Sequence, residues 1–284
     1  MSEIRVGPAG SCEEYTRRYK TLAFMPEFLT EYGLNAYEYQ CGRGVNVNPD
    51  AAQLLCEKAE AVGIEISVHA PYFITLSGLD EQKRLNSINY ILDSARAVKM
   101  LGGRRIVVHS GSCSKISRQE AVELASDTLR LAMAALDEQG LGETLVCPET
   151  MGKLNQLGTV EEVCALCLTD ERMLPCVDFG HVNSMTGGGI KTADDYRAVL
   201  DLIQNRLGEY RLKNMHIHFS KIEYTVNGGE VRHLTFDDTL YGPEFDPLAQ
   251  LIAQRGMTPF IVCESAGTQT RDAASMMGML RQAR

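Results

Sequence analysis

No apolar run in this 284-residue sequence approaches the roughly 18 residues that a membrane span requires, so no membrane partner is expected. The segment Met1-Ser2-Glu3-Ile4-Arg5-Val6-Gly7 lacks the basic start, apolar core and small-residue cleavage site of a secretion signal, which points to a cytoplasmic location. Low-complexity tracts are missing, and so is any Pro/Gly/Ser-rich linker long enough to separate domains; residues 1–284 are expected to form a single domain. Basic charge is also scarce. With 28 Lys and Arg against 37 Asp and Glu the formal net charge is -9, which argues against a general phosphate-neutralising coat but not against a local basic patch. Bound divalent metals would add positive charge that this count omits. The nine cysteines are odd in number and form no framework, and Cys147, Cys176 and Cys263 sit inside apolar runs where a free thiol behaves as a small hydrophobe, so a reducing compartment is indicated. Cys164-Ala165-Leu166-Cys167 has C-x-x-C spacing, but it lies in a helical pattern with no second pair to complete a zinc site, and it reads as helix core.

What is present is an alternation. Hydrophobic residues make up 44% and charged residues 23%, the balance of an ordinary soluble globular protein. Short β-branched runs at 3–6, 35–40, 64–69, 104–109, 144–149, 174–178, 213–218 and 259–264 read as strands. Between them lie stretches of 3.6-residue periodicity, clearest at 80–101, 117–138, 192–207 and 271–282. Repeated strand-then-helix units of this number predict an α/β fold, a (β/α)8 TIM barrel, with a doubly wound sheet as the alternative. The longest irregular piece, 220–244, carries aromatics, a histidine and the turn signal Asn227-Gly228-Gly229, and is expected to be functional.

The stretch Leu174-Pro175-Cys176-Val177-Asp178-Phe179-Gly180-His181 runs as a buried strand and ends in a carboxylate and an imidazole, and the same ending recurs along the chain. The third strand ends at His69, the fourth at His109, the fifth at Glu149, the sixth at Asp178 with His181 just beyond, the seventh at His216 and the eighth at Glu264. His218 lies on the seventh strand and His233 on the long loop after it. Any one of these residues alone would read as a hydrogen-bonded core histidine or a paired carboxylate. Together, in a barrel whose strand ends share one face, they would crowd ionisable groups at one mouth with nothing to offset their desolvation and repulsion. Bound metal removes that cost. Imidazoles with carboxylates suit Zn2+, or Mn2+ at one site if oxygen ligands dominate there, and so many ligands imply two or three ions bridged by carboxylates such as Glu149 or Asp178. Adjacent metals clamp the attacking and leaving oxygens of a displacement at phosphorus, which makes phosphoester hydrolysis the expected reaction.

Seven segments, in order, resemble the endonuclease IV type of apurinic/apyrimidinic endonucleases (AP endonuclease family 2), whose barrels are xylose-isomerase-like. They are His69-Ala70-Pro71-Tyr72, His109-Ser110-Gly111-Ser112, Glu149-Thr150, Cys176-Val177-Asp178-Phe179-Gly180-His181, His216, His233 and Glu264-Ser265. The resemblance spans most of the chain and implies a zinc-dependent hydrolase, a DNA-repair endonuclease that cleaves 5' to abasic sites in double-stranded DNA by a zinc-bound hydroxide. It implies one zinc on His69, His109 and Glu149, a second on Glu149, Asp178, His216 and Glu264, and a third using His181 and His233. Glu149 and Glu264 become the catalytic residues, Tyr72 a DNA contact and Arg43 the counterpart of an inserting arginine, in a monomer. Lys153, Lys221 and Arg232 are placed where phosphates could be met. Three departures bear on this. Val231 stands where the family carries an aspartate ligand of the third zinc, with Glu230 the nearest carboxylate and one position out of register. His218 and Phe219 replace an Asn-Asp pair, and Leu234-Thr235-Phe236-Asp237-Asp238 replaces a Gly-rich segment. The alternative is a sugar isomerase or epimerase holding a single divalent metal on Glu149, Asp178, His216 and Glu264; His69, His109, His181 and His233 are what it would leave unused. A relative that keeps two metals and has lost the third, with altered substrate or no catalysis, is the other alternative.

Overall fold

Eight short, largely buried runs form parallel strands: β1 (Arg5–Pro8), β2 (Ala36–Gln40), β3 (Glu65–His69), β4 (Arg105–His109), β5 (Leu145–Glu149), β6 (Cys176–Asp178), β7 (His216–Phe219) and, after the hairpin of β8 (Ile222–Thr225) and β9 (Gly229–His233), β10 (Phe260–Cys263). A computed structural model describes residues 3–284 of the chain; Met1 and Ser2, where the N-terminal reading begins, lie outside the described residues. The strands pair in the order β1-β10-β7-β6-β5-β4-β3-β2. The two ends of that sheet then meet: Ala9 bridges Glu38 in parallel, and the Gly10 amide donates to the Glu38 carbonyl at 2.9 Å. The product is the (β/α)8 barrel expected from the alternation, and the doubly wound sheet is set aside.

Closure depends on a glycine. A Cβ on Gly7 of β1 would lie 1.7 Å from the Ala36 carbonyl oxygen of β2, so only glycine lets the first and second strands approach this closely. The helices outside the barrel begin where the sequence offers caps. Ser117 with Glu120, Thr159 with Glu162 and Thr192 with Asp195 each form a reciprocal capping box ahead of the helices Arg118–Glu138, Val160–Cys167 and Ala193–Lys213. Cys164 and Cys167 are buried on the second of these, as helix core. Among the described residues no helix is long and apolar enough to cross a membrane.

Several boundaries differ from the sequence reading, among them that of the seventh strand, which runs His216–Phe219 rather than 213–218. The first strand starts at Arg5 rather than residue 3. The helix expected at 192–207 continues to Lys213 through a kink at Gly208, whose φ of 83° a glycine adopts without strain. The irregular piece 220–244 contains the β8–β9 hairpin, which the turn signal Asn227-Gly228-Gly229 closes.

Replacing Gly7 by alanine is expected to lower stability by at least about 2 kcal/mol, because the new methyl meets backbone rather than a side chain that can rotate away. Urea denaturation of the variant against the wild type measures this.

Candidate metal centre

Because every strand of the barrel runs the same way, their C-terminal ends form one rim, and three groups of ligand-type side chains converge on it. The His69 and His109 Nε2 atoms lie 3.4 and 3.5 Å from Glu149 Oε2. Glu149 Oε1 faces His218 Nδ1 at 2.9 Å, and Glu149, Asp178, His218 and Glu264 each offer one atom within 4.8 Å of the others. Further along the rim His181, Glu230 and His233 make a third set, with Glu230 oxygens 3.6 Å from His181 Nε2 and 3.8 Å from His233 Nε2. Glu149 is thus common to the first two sets, as a bridging carboxylate would be.

Local structure aims these groups. Asp178 caps the short helix Phe179–Met185: one oxygen accepts from the His181 amide at 2.9 Å, which turns the chain and brings the His181 ring back over the rim. His69 and His181 each direct Nδ1 at a backbone carbonyl, Ala70 and Thr150, at 2.9 Å, which leaves Nε2 for the site. The other Asp178 oxygen is buried without a hydrogen-bond partner. An ionised carboxylate oxygen in that condition is costly unless a cation completes it.

One residue expected at the rim lies deeper in the barrel. The sequence reading placed His216 with Glu149, Asp178 and Glu264; the structure places His218 there instead. In the parallel register Asp178 pairs with His218, whereas His216 pairs with Cys176. Alternation points both histidines into the barrel, but His216 is two residues, about 7 Å, further from the rim. Its ring stacks on Phe260 and its Nε2 faces Glu38 at 3.1 Å.

The third set turns on an irregularity. Residues 230 and 233 of a regular strand face opposite ways. The hairpin register runs Ile222 to His233 and Glu223 to Arg232, then skips Val231 to pair Tyr224 with Glu230. This bulge gives β9 one extra residue, so Glu230 and His233 share a face and the carboxylate one position out of register reaches the histidines. Gly152 makes room for it, since a Cβ there would lie 2.8 Å from both Glu230 and His181.

Electrostatics at the rim follow from burial and crowding. Burial opposes charge on His69 and His181, but Glu149 beside the first and Asp178 beside the second outweigh it and push each pKa up to about 9. Burial wins at His109, whose pKa falls to about 4. At Glu149 burial is overcome by the His218 and His69 imidazoles, which hold its carboxyl well below the usual range, while burial raises that of Glu264. The donors are nitrogens and carboxylate oxygens, a set that suits zinc and admits manganese.

A cleft of about 490 Å³ opens above the rim, lined by His69, His109, Glu149, His181, His233 and Glu264 together with Tyr72, Lys153 and Gln156. Tyr72 is 57% exposed and leans over His109, ring centroids 5.5 Å apart. Arg43 is exposed in the loop after β2, outside the lining of the cleft. Of the three basic residues expected to meet phosphates, only Lys153 lines the cleft: Lys221 is buried and spans the Glu244 carboxylate and the Asp238 carbonyl at 2.6 Å each, and Arg232 pairs with Glu223.

Residues 26–283 match the family model of the xylose isomerase-like TIM barrel. The chain belongs to that family. Among its relatives is an uncharacterized protein of Methanocaldococcus jannaschii, 30% identical over 84% of this chain and 85% of its own length. A probable endonuclease 4 of Methanosphaera stadtmanae is 28% identical over 59% of each chain, so that match takes in less than two thirds of the relative. In three dimensions the apo form of a 3-keto-D-glucoside 4-epimerase from E. coli superposes with a TM-score of 0.70, covering 99% of this chain and 100% of that one. At 16% identity this likeness speaks for the fold. The family therefore brings the chain near endonuclease IV-type proteins at low identity, and its barrel is shared with epimerases.

Two outcomes test the centre. Gly152→Ala is expected to displace Glu230 and lower metal content by one ion per chain with the barrel intact, read by elemental analysis beside a thermal melt. In protein stripped with chelator, the ion pairs of His69 and His181 stabilise the fold fully below about pH 6.5, the unfolded imidazole value, and lose that effect as pH rises through about 9. The melting temperature of stripped protein should therefore drop between pH 7 and 9.5, and drop less with zinc bound, because the ligand nitrogens are then unprotonated at both pH values.

Proposed function

We propose that this chain is a metal-dependent phosphodiesterase, a zinc hydrolase that cleaves double-stranded DNA on the 5' side of abasic sites. The observation that supports this above all is the number of ligand-type sets: His69 with His109, and His181 with Glu230 and His233, flank the central set, as a multi-metal reaction would use them. Zinc in these sets would supply Lewis-acid stabilisation of phosphate oxygens and a nucleophile available at neutral pH. The residues of the chain do the rest. Glu149 and Asp178 neutralise and orient the centre, Glu149 serving two sets at once. Glu264 stands at the cleft with its carboxyl pKa raised by burial, suited to take a proton from the attacking water and release it later. Lys153 brings a cation to the phosphate, and the exposed Tyr72 offers a ring against an opened base step. Val231, in place of the family's aspartate, does not remove the third set, because the bulge substitutes Glu230. The nine cysteines are all unpaired, which supports a reducing, cytoplasmic setting.

A second reading rests on a specific observation as well. Glu149, Asp178, His218 and Glu264 are by themselves a complete set for one divalent ion, as a sugar epimerase would use. Metal content of protein purified without chelator separates the two. Two or three zinc ions per chain support the phosphodiesterase, and a single manganese or magnesium supports the epimerase. Glu264→Gln is expected to lower cleavage of a duplex carrying one abasic site by on the order of 10²-fold or more while duplex binding, measured by gel shift, changes little. Retained cleavage would remove Glu264 from the mechanism.

A further inference from the structure

One layer below the rim lies a carboxylate that the proposed reaction does not use. Glu38 of β2 has no exposed surface. Its Oε2 accepts from the Ser67 hydroxyl at 2.9 Å and its Oε1 from the Gln40 amide at 3.2 Å. From across the barrel the two inward histidines of β7 approach it as well, His216 Nε2 at 3.1 Å from Oε2 and His218 Nε2 at 3.0 Å from Oε1. Neither contact is aligned as a regular hydrogen bond, so the attraction is one of charge and dipole. Such proximity is favourable only if Nε2 of each ring carries a proton; a lone pair facing a buried carboxylate would be repelled.

That has a consequence at the other nitrogen. His218 Nδ1 points at Glu149 Oε1, 2.9 Å away, and Glu264 Oε2, 3.6 Å away. By the same argument Nδ1, which hydrogen-bonds Glu149 Oε1, also carries a proton in the metal-free chain; a metal at this point would take that proton's place while Glu38 keeps the one on Nε2. We propose that Glu38 is a positioning residue for the second metal set: it holds His218 in the Nε2–H tautomer and fixes its ring so that Nδ1 serves as a ligand, with His216 as the deeper brace. This rests on the metal-centre reading above. It also accounts for two histidines on one strand of which only one reaches the rim. Cys176, His216 and His218 likewise lie within 4.8 Å of one another, but both nitrogens of His218 are engaged by Glu38 and by the rim.

The test uses the full chain loaded with zinc and needs no substrate. Glu38→Gln should weaken zinc at one site by about 10- to 100-fold, measured by competition with a chromophoric chelator, with zinc at His181, Glu230 and His233 unchanged. In wild-type protein with ring-¹⁵N histidine, the His218 signal, assigned by its loss in His218→Asn, should show a protonated Nε2 and an Nδ1 shift that moves on zinc addition. A protonated Nδ1 in the zinc-bound wild type, or undiminished affinity in folded Glu38→Gln, overturns the proposal. A further zinc that Cys176→Ser releases also overturns it. Should Glu38→Gln not fold, the wild-type spectrum decides alone. Wild type that takes up no zinc in the competition assay overturns the metal centre itself, and with it this proposal, a result visible before any variant is made.

Discussion

Glu149 is the residue around which the rest is arranged. Its carboxylate is 1% exposed and meets His69, His109 and His218 at 2.9 to 3.5 Å. Burying one such charge is costly, and here Asp178, Glu264 and Glu230 stand on the same rim. The imidazoles offset some of that cost, but His109 is held neutral by its own burial and one Asp178 oxygen has no hydrogen-bond partner, only the His181 ring 3.4 Å away. The deficit is one of positive charge at a defined place. A parallel barrel creates that deficit, because it gathers the ends of all its strands on one face, and a divalent cation would resolve it.

The hairpin shows how a bulge can aim a carboxylate. With Val231 between them, Glu230 and His233 would face opposite ways if β9 were regular, and the two histidines would have no carboxylate from this strand. The bulge moves Glu230 onto their face, and the lack of a side chain at Gly152 leaves the space that the Glu230 carboxylate occupies. The same hairpin is pinned to the loop after β5 by the Glu230 amide, which donates to the Gly152 carbonyl at 2.9 Å. Ligand, bulge and glycine thus depend on one another. Lys221, buried just before the hairpin, ties residues 238 and 244 together.

Much of this was legible in the residues. Alternating periodicities predict the barrel because a strand buried on both faces and a helix buried on one leave different patterns, and the pattern repeats. His69, His109, Glu149 and Asp178 are each the last residue of a strand, and Glu264 directly follows one, so strand boundaries alone locate the rim. His216 and His218 are hard to separate because two inward histidines share β7. The signal that could have separated them was present: on the other strands the candidate ligand is the last inward residue, and on β7 that residue is 218. Glu38 could not have been found this way, since a glutamate in a short strand gives no sign of what it faces across the barrel.

Fold class and the rim on which the ligand-type side chains gather were therefore readable along the chain, because they follow from local periodicity and from the rule that parallel strands end together. The folded barrel was needed to decide which of two histidines stands at the rim, that a bulge brings Glu230 to His181 and His233, and that Glu38 braces β7 from the opposite wall. Those outcomes depend on strand stagger, on a single extra residue in one ladder and on distances across the barrel, and residues far apart in the chain carry no local trace of any of them.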